Sequence, residues 1–432
     1  MPHALVREDS PCARRSRSRR TAGRRRRLSA SAWEILDLVA RWIHVIAGIM
    51  WIGNSLLFNW LDRSLQPASD PGQTRSPVGT IWLLHSGGFY YVEKTLLEGE
   101  TLPPAVHWFK WQAYSTWLSG FALLLVVYYL SDRAVLADPG VANLTHAQAS
   151  LVGVGAILGG WALYEVMQRL VVPRAPMFAA IVWIVGLVAI SIALTQLLSG
   201  RAAFLHVGAM LGTIMAGNVA MTIVPSQREL EASVREGRGA AASAALSARA
   251  KRVSIHNNYF TFPVIVLMVS NHFPSVYGHS LNWLLLLVLC VAGAAVRHLL
   301  NLRWTYPRWK PALAGVIAGS IGILYVLMHI TFTPTGRVAA VSTGPVAFAD
   351  ARHVIDRRCA VCHSSNPSDL TFGPAPGGVA FDTPEQIIAL AARIRERAVM
   401  TRTMPPANKT RITDEERSVL RRWAEQSFVT SR

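Results

Sequence analysis

The sequence predicts an all-α protein: a polytopic transmembrane helical bundle of about eight spans, then a small water-soluble helical domain. Three observations carry this. Of the 432 residues, 51% are hydrophobic and only 16% are charged, whereas soluble domains usually carry ~25% charged residues. Apolar stretches near the ~20-residue spanning length recur through the middle of the chain. From residue 346 onward the composition turns polar and charged. So much apolar surface excludes disorder, and four cysteines in a chain of this length exclude a disulfide scaffold.

Residues 1–30 hold ten arginines (Arg7, Arg14, Arg15, Arg17, Arg19, Arg20 and Arg24 to Arg27) against Glu8 and Asp9, which is +8 of the net +18. Mixed with Ser, Ala and Gly and without aromatics beyond the start of the first span, this tail reads as a solvated arm, with no nucleic-acid partner expected. Residues 31–332 form the membrane part. Spans are predicted at 33–57, 112–130, 150–168, 178–199, 202–224, 258–273, 281–300 and 312–332. The sixth is short and interrupted by Pro263. The segment 81–98, with Gly87, Gly88, Glu93 and Lys94, is apolar only in part and is expected to be re-entrant or interfacial.

Basic residues cluster in the loops 169–177 (Arg169, Arg174), 225–257 (Arg228, Arg235, Arg238, Arg249, Lys251, Arg252) and 301–311 (Arg303, Arg308, Lys310). Alternating spans put all three on one side, which the distribution of positive charge makes cytoplasmic. The chain from 333 onward then emerges outside. The arginine tail alone argues otherwise, because eight spans place both termini on the same side; three agreeing loops outweigh it. A linker rich in Thr, Gly, Pro and Ser (333–345) leads to a domain at 346–432 with two legible helix starts. Thr383-Pro384-Glu385-Gln386 and Thr413-Asp414-Glu415-Glu416 are both capping boxes.

The strongest chemical signal is Cys359-Ala360-Val361-Cys362-His363. C-x-x-C-H is the covalent attachment motif of c-type haem: two thiols at this spacing reach two vinyl groups on one porphyrin edge, and the adjacent histidine meets the iron. A zinc site would need a second ligand pair. The domain is therefore expected to be cytochrome c-like, with one covalent haem whose iron is held by His363 and Met404. Met404 lies in Thr403-Met404-Pro405-Pro406, a stiff segment after a helix; Met400 is the competitor. Haem attachment of this kind normally occurs outside the inner membrane, in agreement with the loop charges. Cys12 and Cys290 are bystanders.

Within the membrane part, Glu34, Asp37, Arg41, His44, Gly48, Trp51, Ser55 and Asn59 follow helical spacing along one face. Polar groups at membrane depth normally face a protein interior or cavity. His44, His206, His298 and His329 are candidate ligands of a non-covalent b-type haem, packing histidines being the alternative, and Arg297 is a candidate propionate partner. Two further clusters are dense in hydrogen-bonding groups: His85 to Lys94, and His256-Asn257-Asn258-Tyr259 with Ser270-Asn271-His272. Unsatisfied amides are costly at a lipid boundary, so a functional site is expected there.

With these residues on the page, the chain over about 33–425 resembles the membrane-bound urate oxidase (urate hydroxylase) family, in which a multi-span domain is fused to cytochrome c. The segments that match are Trp51 to Ser55, Phe58 to Asp62, Gly87 to Tyr90 with Glu93-Lys94, Asn218 to Glu229, His256 to Pro263 and Ser270 to His272. The haem motif, Pro376 to Val379 and Phe381 to Pro384 match as well; Ser86 stands where the pattern suggests glycine, and the arginine tail lies outside it. The resemblance implies an inner-membrane oxidoreductase that converts urate to 5-hydroxyisourate. It implies that electrons pass through the periplasmic haem to a soluble cytochrome c or a terminal oxidase rather than to oxygen. Such chemistry needs a base, for which His256 and His85 are candidates. It also needs amides to read the purine edge, for which Asn257, Asn258 and Asn54 are candidates, and a positive charge to balance the anion, such as Lys94 beside Glu93. A quinol–cytochrome c conduit without purine chemistry is the competing reading, and a transporter with a haem sensor a third.

Overall fold

The computed structural model describes residues 30–67, 77–95, 106–130, 135–138, 141–238, 240–329, 345–369 and 374–429. The arginine tail up to residue 29 and the linker over 333–344 lie outside the described residues. The architecture is helical with almost no sheet, as the sequence predicts.

In chain order, α1 (Ala30–Ser64) is followed by a β-hairpin, β1 (Pro77–His85) and β2 (Gly88–Thr95). Then come α2 (Lys110–Leu124), α3 (His146–Val166), α4 (Pro176–Leu197), α5 (Gly200–Asn218), α6 (Val224–Arg235) and α7 (Ala240–Val269). A short α8 (Pro274–Tyr277) precedes α9 (Asn282–Leu302) and α10 (Trp309–His329). The polar end of the chain supplies α11 (Phe348–Arg358), α12 (Pro384–Ala389), α13 (Ala391–Ile394) and α14 (Asp414–Val429).

Among the described residues, seven helices are long and apolar enough to cross a membrane: Ile35–Ser64, His146–Val171, Pro176–Leu197, Gly200–Arg235, Ala244–His272, Asn282–Leu302 and Trp309–His329. The second predicted span, 112–130, is helical as α2 and a following wider turn (Leu125–Tyr129), but it falls short of those limits. Lys110, Gln112, Ser115, Thr116 and Ser119 lower its hydropathy, and α1 packs along it. The segment 81–98, expected to be re-entrant or interfacial, takes a form that its sequence did not specify. Its described part is a strand pair around the tight turn at Ser86-Gly87, both with positive φ. Its aromatic side chains are exposed, Phe89 at 76%. Alternating Trp82, Leu84 and Phe89, Tyr91 suit a pleated strand rather than a helix.

The sixth span is longer than predicted, because α7 continues straight through Pro263. A proline ring crowds the preceding turn, and here a glycine on the neighbour makes room. A Cβ at Gly293 of α9 would stand 3.0 Å from Pro263 N. Pro225 acts differently. Where it enters α6, the preceding turn Val219–Ile223 widens to the π pattern, the expected response to a lost donor and a crowded carbonyl.

The main core is built on α5, whose Phe204, Val207, Met210, Leu211 and Ile214 are fully buried among α3, α4 and α7. A second core gathers Ile355, Val379, Phe381, Ile387, Ile394, Leu420 and Trp423 from the C-terminal residues. Both predicted capping boxes are formed there, Thr383 with Gln386 and Thr413 with Glu416.

The two ends of the bundle differ. At one, Ser199 Oγ donates to Val135 O at 2.5 Å, and Asn282 Nδ2 donates to Tyr277 O at 3.0 Å. The basic loops lie at the other. The C-terminal residues touch the first end: an added Cβ on Gly278 would overlap Thr401 O and sit 3.1 Å from Thr403 Cγ2. Gly278 has φ −87°, open to any residue, so contact rather than backbone strain restricts this position. Gly278→Val is expected to push the C-terminal residues off this end and to speed their limited proteolysis in membranes. An unchanged proteolysis rate would disprove the contact.

Candidate functional site

A cleft of about 650 Å³ opens at the basic-loop end, within the size range of small-molecule sites. Its walls come from three places far apart in sequence. α1 gives Trp51, Asn54, Ser55 and Phe58; the start of α2 gives His107, Trp108, Lys110 and Gln112; α5 to α7 give Val219, Gln227, Ser254, Asn257 and Thr261. The polar stripe predicted on α1 explains the first wall. Lower on the same face, His44 Nδ1 meets Thr116 O and Ser119 Oγ at 3.1 Å, and Gly48 lies beside Thr116. Asp37 pairs with Arg41 at 2.6 Å, so the stripe faces α2 and ends in the cleft.

Behind the cleft lies a buried hydrogen-bond network. Asn218 Nδ2 donates to Asn257 Oδ1 at 2.8 Å and to Tyr164 Oη at 3.0 Å. Asn257 Nδ2 donates to Met215 O at 3.0 Å. Both hydrogens of the Asn218 amide are thereby used. The Tyr164 hydroxyl, which accepts from Asn218, also pairs with His256 Nδ1 at 2.7 Å. Asn257 keeps one N–H and one lone pair toward the cleft. Across from it, Gln112 Oε1 is buried with no hydrogen-bond partner. Buried polar atoms are almost always paired, so an unpaired acceptor in a cleft wall marks a place for a donor from outside the protein. Lys110 holds its ammonium 5.3 Å from the Trp108 ring centroid and supplies positive charge at the rim.

The predicted site residues separate into three groups. His256 and Asn257 meet at this network, with Asn257 in the cleft wall and His256 one step behind it. Asn258, one residue on, points to the other side of α7, where Arg297 Nε and Asn301 Nδ2 both donate to its Oδ1 at 2.9 and 2.8 Å. His85 sits exposed beside the hairpin turn, and Lys94 pairs with Asp62 at 2.5 Å, with Glu93 beside it on β2. The hairpin keeps these three away from the cleft, to which it contributes Thr95 alone. Tyr164, Lys110 and Gln112 were not singled out from the sequence. The one available signal was polar side chains at the start of a marginally apolar helix.

Each of the four membrane histidines has a hydrogen-bond partner of its own. His44 faces α2; His206 is held at both nitrogens, by Tyr129 Oη at 2.8 Å and Ala202 O at 2.7 Å. His298 Nδ1 bonds Tyr259 Oη at 2.7 Å, and His329 Nδ1 bonds Tyr325 O in its own helix. Among the described residues, no three His, Cys, Asp or Glu side chains form a metal-binding group.

A family model described as Urate oxidase N-terminal matches residues 30–330. The chain belongs to this urate oxidase family. The match covers the hairpin, the cleft and every helix from α1 to α10. No curated protein and no solved structure matches the chain.

Beyond the part matched to the urate oxidase model, Cys359 and Cys362 are free thiols, and burial pushes the Cys359 thiol up to about 12. His363 Nδ1 faces Val379 O at 3.1 Å, which leaves Nε2 as the nitrogen open to a metal. Met404 is half-buried, and its N–H donates to Arg397 O at 3.0 Å. Arg417 braces this loop from behind, donating to Ala398 O and, at 3.1 Å, to Met404 O. Burial lowers Arg417 to about 10, so it stays charged at neutral pH. Met400, the competitor, is exposed at the end of a wide turn.

Asp382 links the motif to α12. Hydrogen bonds from the Ser364 side chain and the Ser365 backbone N–H hold its carboxyl below the usual carboxylate range. A folded-state pKa below the unfolded one adds stability above the unfolded pKa that is lost as pH falls through the folded pKa. Thermal melts of the C-terminal residues' tertiary signal should therefore show Asp382→Asn less stable than wild type at pH 6. The two should converge as the pH drops below the ordinary carboxylate value of 3.8. A pH-independent gap would remove Asp382 from this role.

Proposed function

We propose that the chain oxidises urate in the cleft and delivers the electrons to a c-type haem carried on Cys359 and Cys362. The observation that carries the first half is the unpaired Gln112 Oε1 facing the network-held Asn257 amide, in a chain of the urate oxidase family. Urate is planar, anionic near neutral pH and edged with N–H and C=O groups. Gln112 accepts from one of its N–H groups, Asn257 and Asn54 pair with donors and acceptors on another edge, and Trp51 and Trp108 supply aromatic surface. Lys110, rather than Lys94, balances the negative charge.

Conversion of urate and water to 5-hydroxyisourate releases two electrons and two protons. His256 does not line the cleft; it fixes the orientation of the Asn257 amide through Tyr164 and Asn218, and is a positioning residue rather than the base. The fit at the far end is chemical. Cys359 and Cys362 present two reduced thiols at attachment spacing, His363 is oriented by Val379 O, and Met404 is held by Arg397 O and Arg417. A haem bound there supplies a one-electron acceptor at a potential that methionine ligation raises.

The basic loops and the C-terminal residues lie at opposite ends of the bundle, which supports a cytoplasmic cleft and a periplasmic haem domain under the positive-inside rule. A soluble cytochrome c or terminal oxidase then takes the electrons onward. The quinol-conduit reading has no observation of its own in this structure.

Urate added anaerobically to oxidised membranes should reduce the c-type haem, followed by its absorbance spectrum. Asn257→Leu should slow that reduction roughly 100-fold, about 2.7 kcal/mol of activation, and His256→Ala roughly tenfold, with haem attachment intact in both. Prompt reduction by quinol and none by urate would overturn the proposal. Met404→His should keep the covalent haem but lower its midpoint potential in a redox titration. An unchanged potential would assign the ligand elsewhere, with Met400→His as the comparison.

A further inference from the structure

Arg297 is 4% exposed on a helix read as membrane-spanning, and its Nη2 has no hydrogen-bond partner. Its Nε is spent on Asn258 Oδ1, and its guanidinium stands 5.5 Å from the Phe262 ring centroid. An arginine buried among apolar helices normally faces a carboxylate. This one instead has two more cations within electrostatic range, Arg63 and Arg303. Arg63 donates to Asn301 O at 2.8 Å, and both Arg63 and Arg303 lie over the Trp304 ring, at 5.7 and 3.8 Å. Asn301 Oδ1 is likewise buried and unpaired. Among the described residues, no acidic side chain forms an ion pair with any of the three arginines; the nearest in sequence, Asp62, pairs with Lys94.

Three guanidinium groups converging without a counter-charge repel one another, and the low-dielectric surroundings amplify that repulsion. An anion from outside the chain resolves it. The cluster is separate from the cleft: the cleft takes Ser254, Asn257 and Thr261 from α7, whereas Arg297 and Asn301 meet Asn258. It lies where α1 and α9 end, at the level where a bilayer places its headgroups. Trp304 at that level is an interfacial anchor. Arginine forks suit phosphate oxygens, and basic pockets between membrane helices take anionic headgroups.

We propose that Arg63, Arg297 and Arg303, with Asn301 and Trp304, form a binding site for the phosphate of an anionic glycerophospholipid. The phosphate lies between Arg63 and Arg303 above Trp304 and is the counter-charge that Arg297 otherwise lacks. The inference rests on the membrane location and is independent of the urate reading.

The test uses the full-length protein purified in a neutral detergent. Phosphatidylglycerol should raise its melting temperature by a few degrees and appear as a retained adduct in native mass spectrometry. Phosphatidylcholine, and inorganic phosphate at millimolar concentration, should do neither. Arg63→Ala/Arg303→Ala, which leaves the buried Arg297 in place, should lose the shift and the adduct. Arg249→Ala/Arg252→Ala, on α7 away from the cluster, should keep both. Arg297→Gln, should it fold, is expected to bind more weakly than wild type. An equal shift with phosphatidylcholine, a shift with phosphate alone, or full binding by the Arg63/Arg303 variant would each overturn the lipid assignment.

Discussion

One amide decides the geometry of the cleft. Asn218 lies in the most deeply buried helix of an apolar bundle, where an unpaired amide costs several kcal/mol. It therefore binds everything within reach: the Asn257 carbonyl and the Tyr164 hydroxyl. Those two bonds lock three helices, α3, α5 and α7, at one level and leave Asn257 with a fixed face toward open space. His256 closes the network from the far side through Tyr164. A cleft assembled in this way is pre-organised, because turning Asn257 would break hydrogen bonds at a buried position.

Local irregularities of the helices serve the same end. The wide turn after Asn218 puts Val219 and Ile223 into the cleft wall, and its cause is a missing donor at Pro225. The proline of α7 is tolerated because Gly293 lets α9 approach it. Each helix breaker is matched by a neighbour that absorbs it, so α7 runs unbroken from the basic loop to the end where the C-terminal residues touch Gly278.

The division of charge gives the molecule its polarity. Arginines crowd one end, around a cleft that suits an anion and around Trp304. Thiols, His363 and Met404 gather beyond the opposite end. In the proposed reaction electrons would travel the length of the bundle, ~30 Å of hydrocarbon. That separation is a property of the fold, and it sets the direction of flow in the proposed reaction.

The sequence by itself determined the features whose cause is local. Apolar length specified the seven clear spans, the capping boxes specified α12 and α14, and the Cys359–His363 spacing supplied the C-x-x-C-H pattern on which the proposed haem rests. The helical spacing of His44, Trp51 and Ser55 already defined a single face. Only the tertiary structure decided what depends on neighbours. Adjacent asparagines, Asn257 and Asn258, face opposite sides of α7 because 100° of helix rotation separates them. The hairpin carries His85, Glu93 and Lys94 away from the cleft, although they look as reactive in sequence as His256. Gln112 and Lys110 become site residues only because α2 packs on α1. Chain order records which residues are polar, and packing in an environment without water determines which of those polar groups stays unpaired.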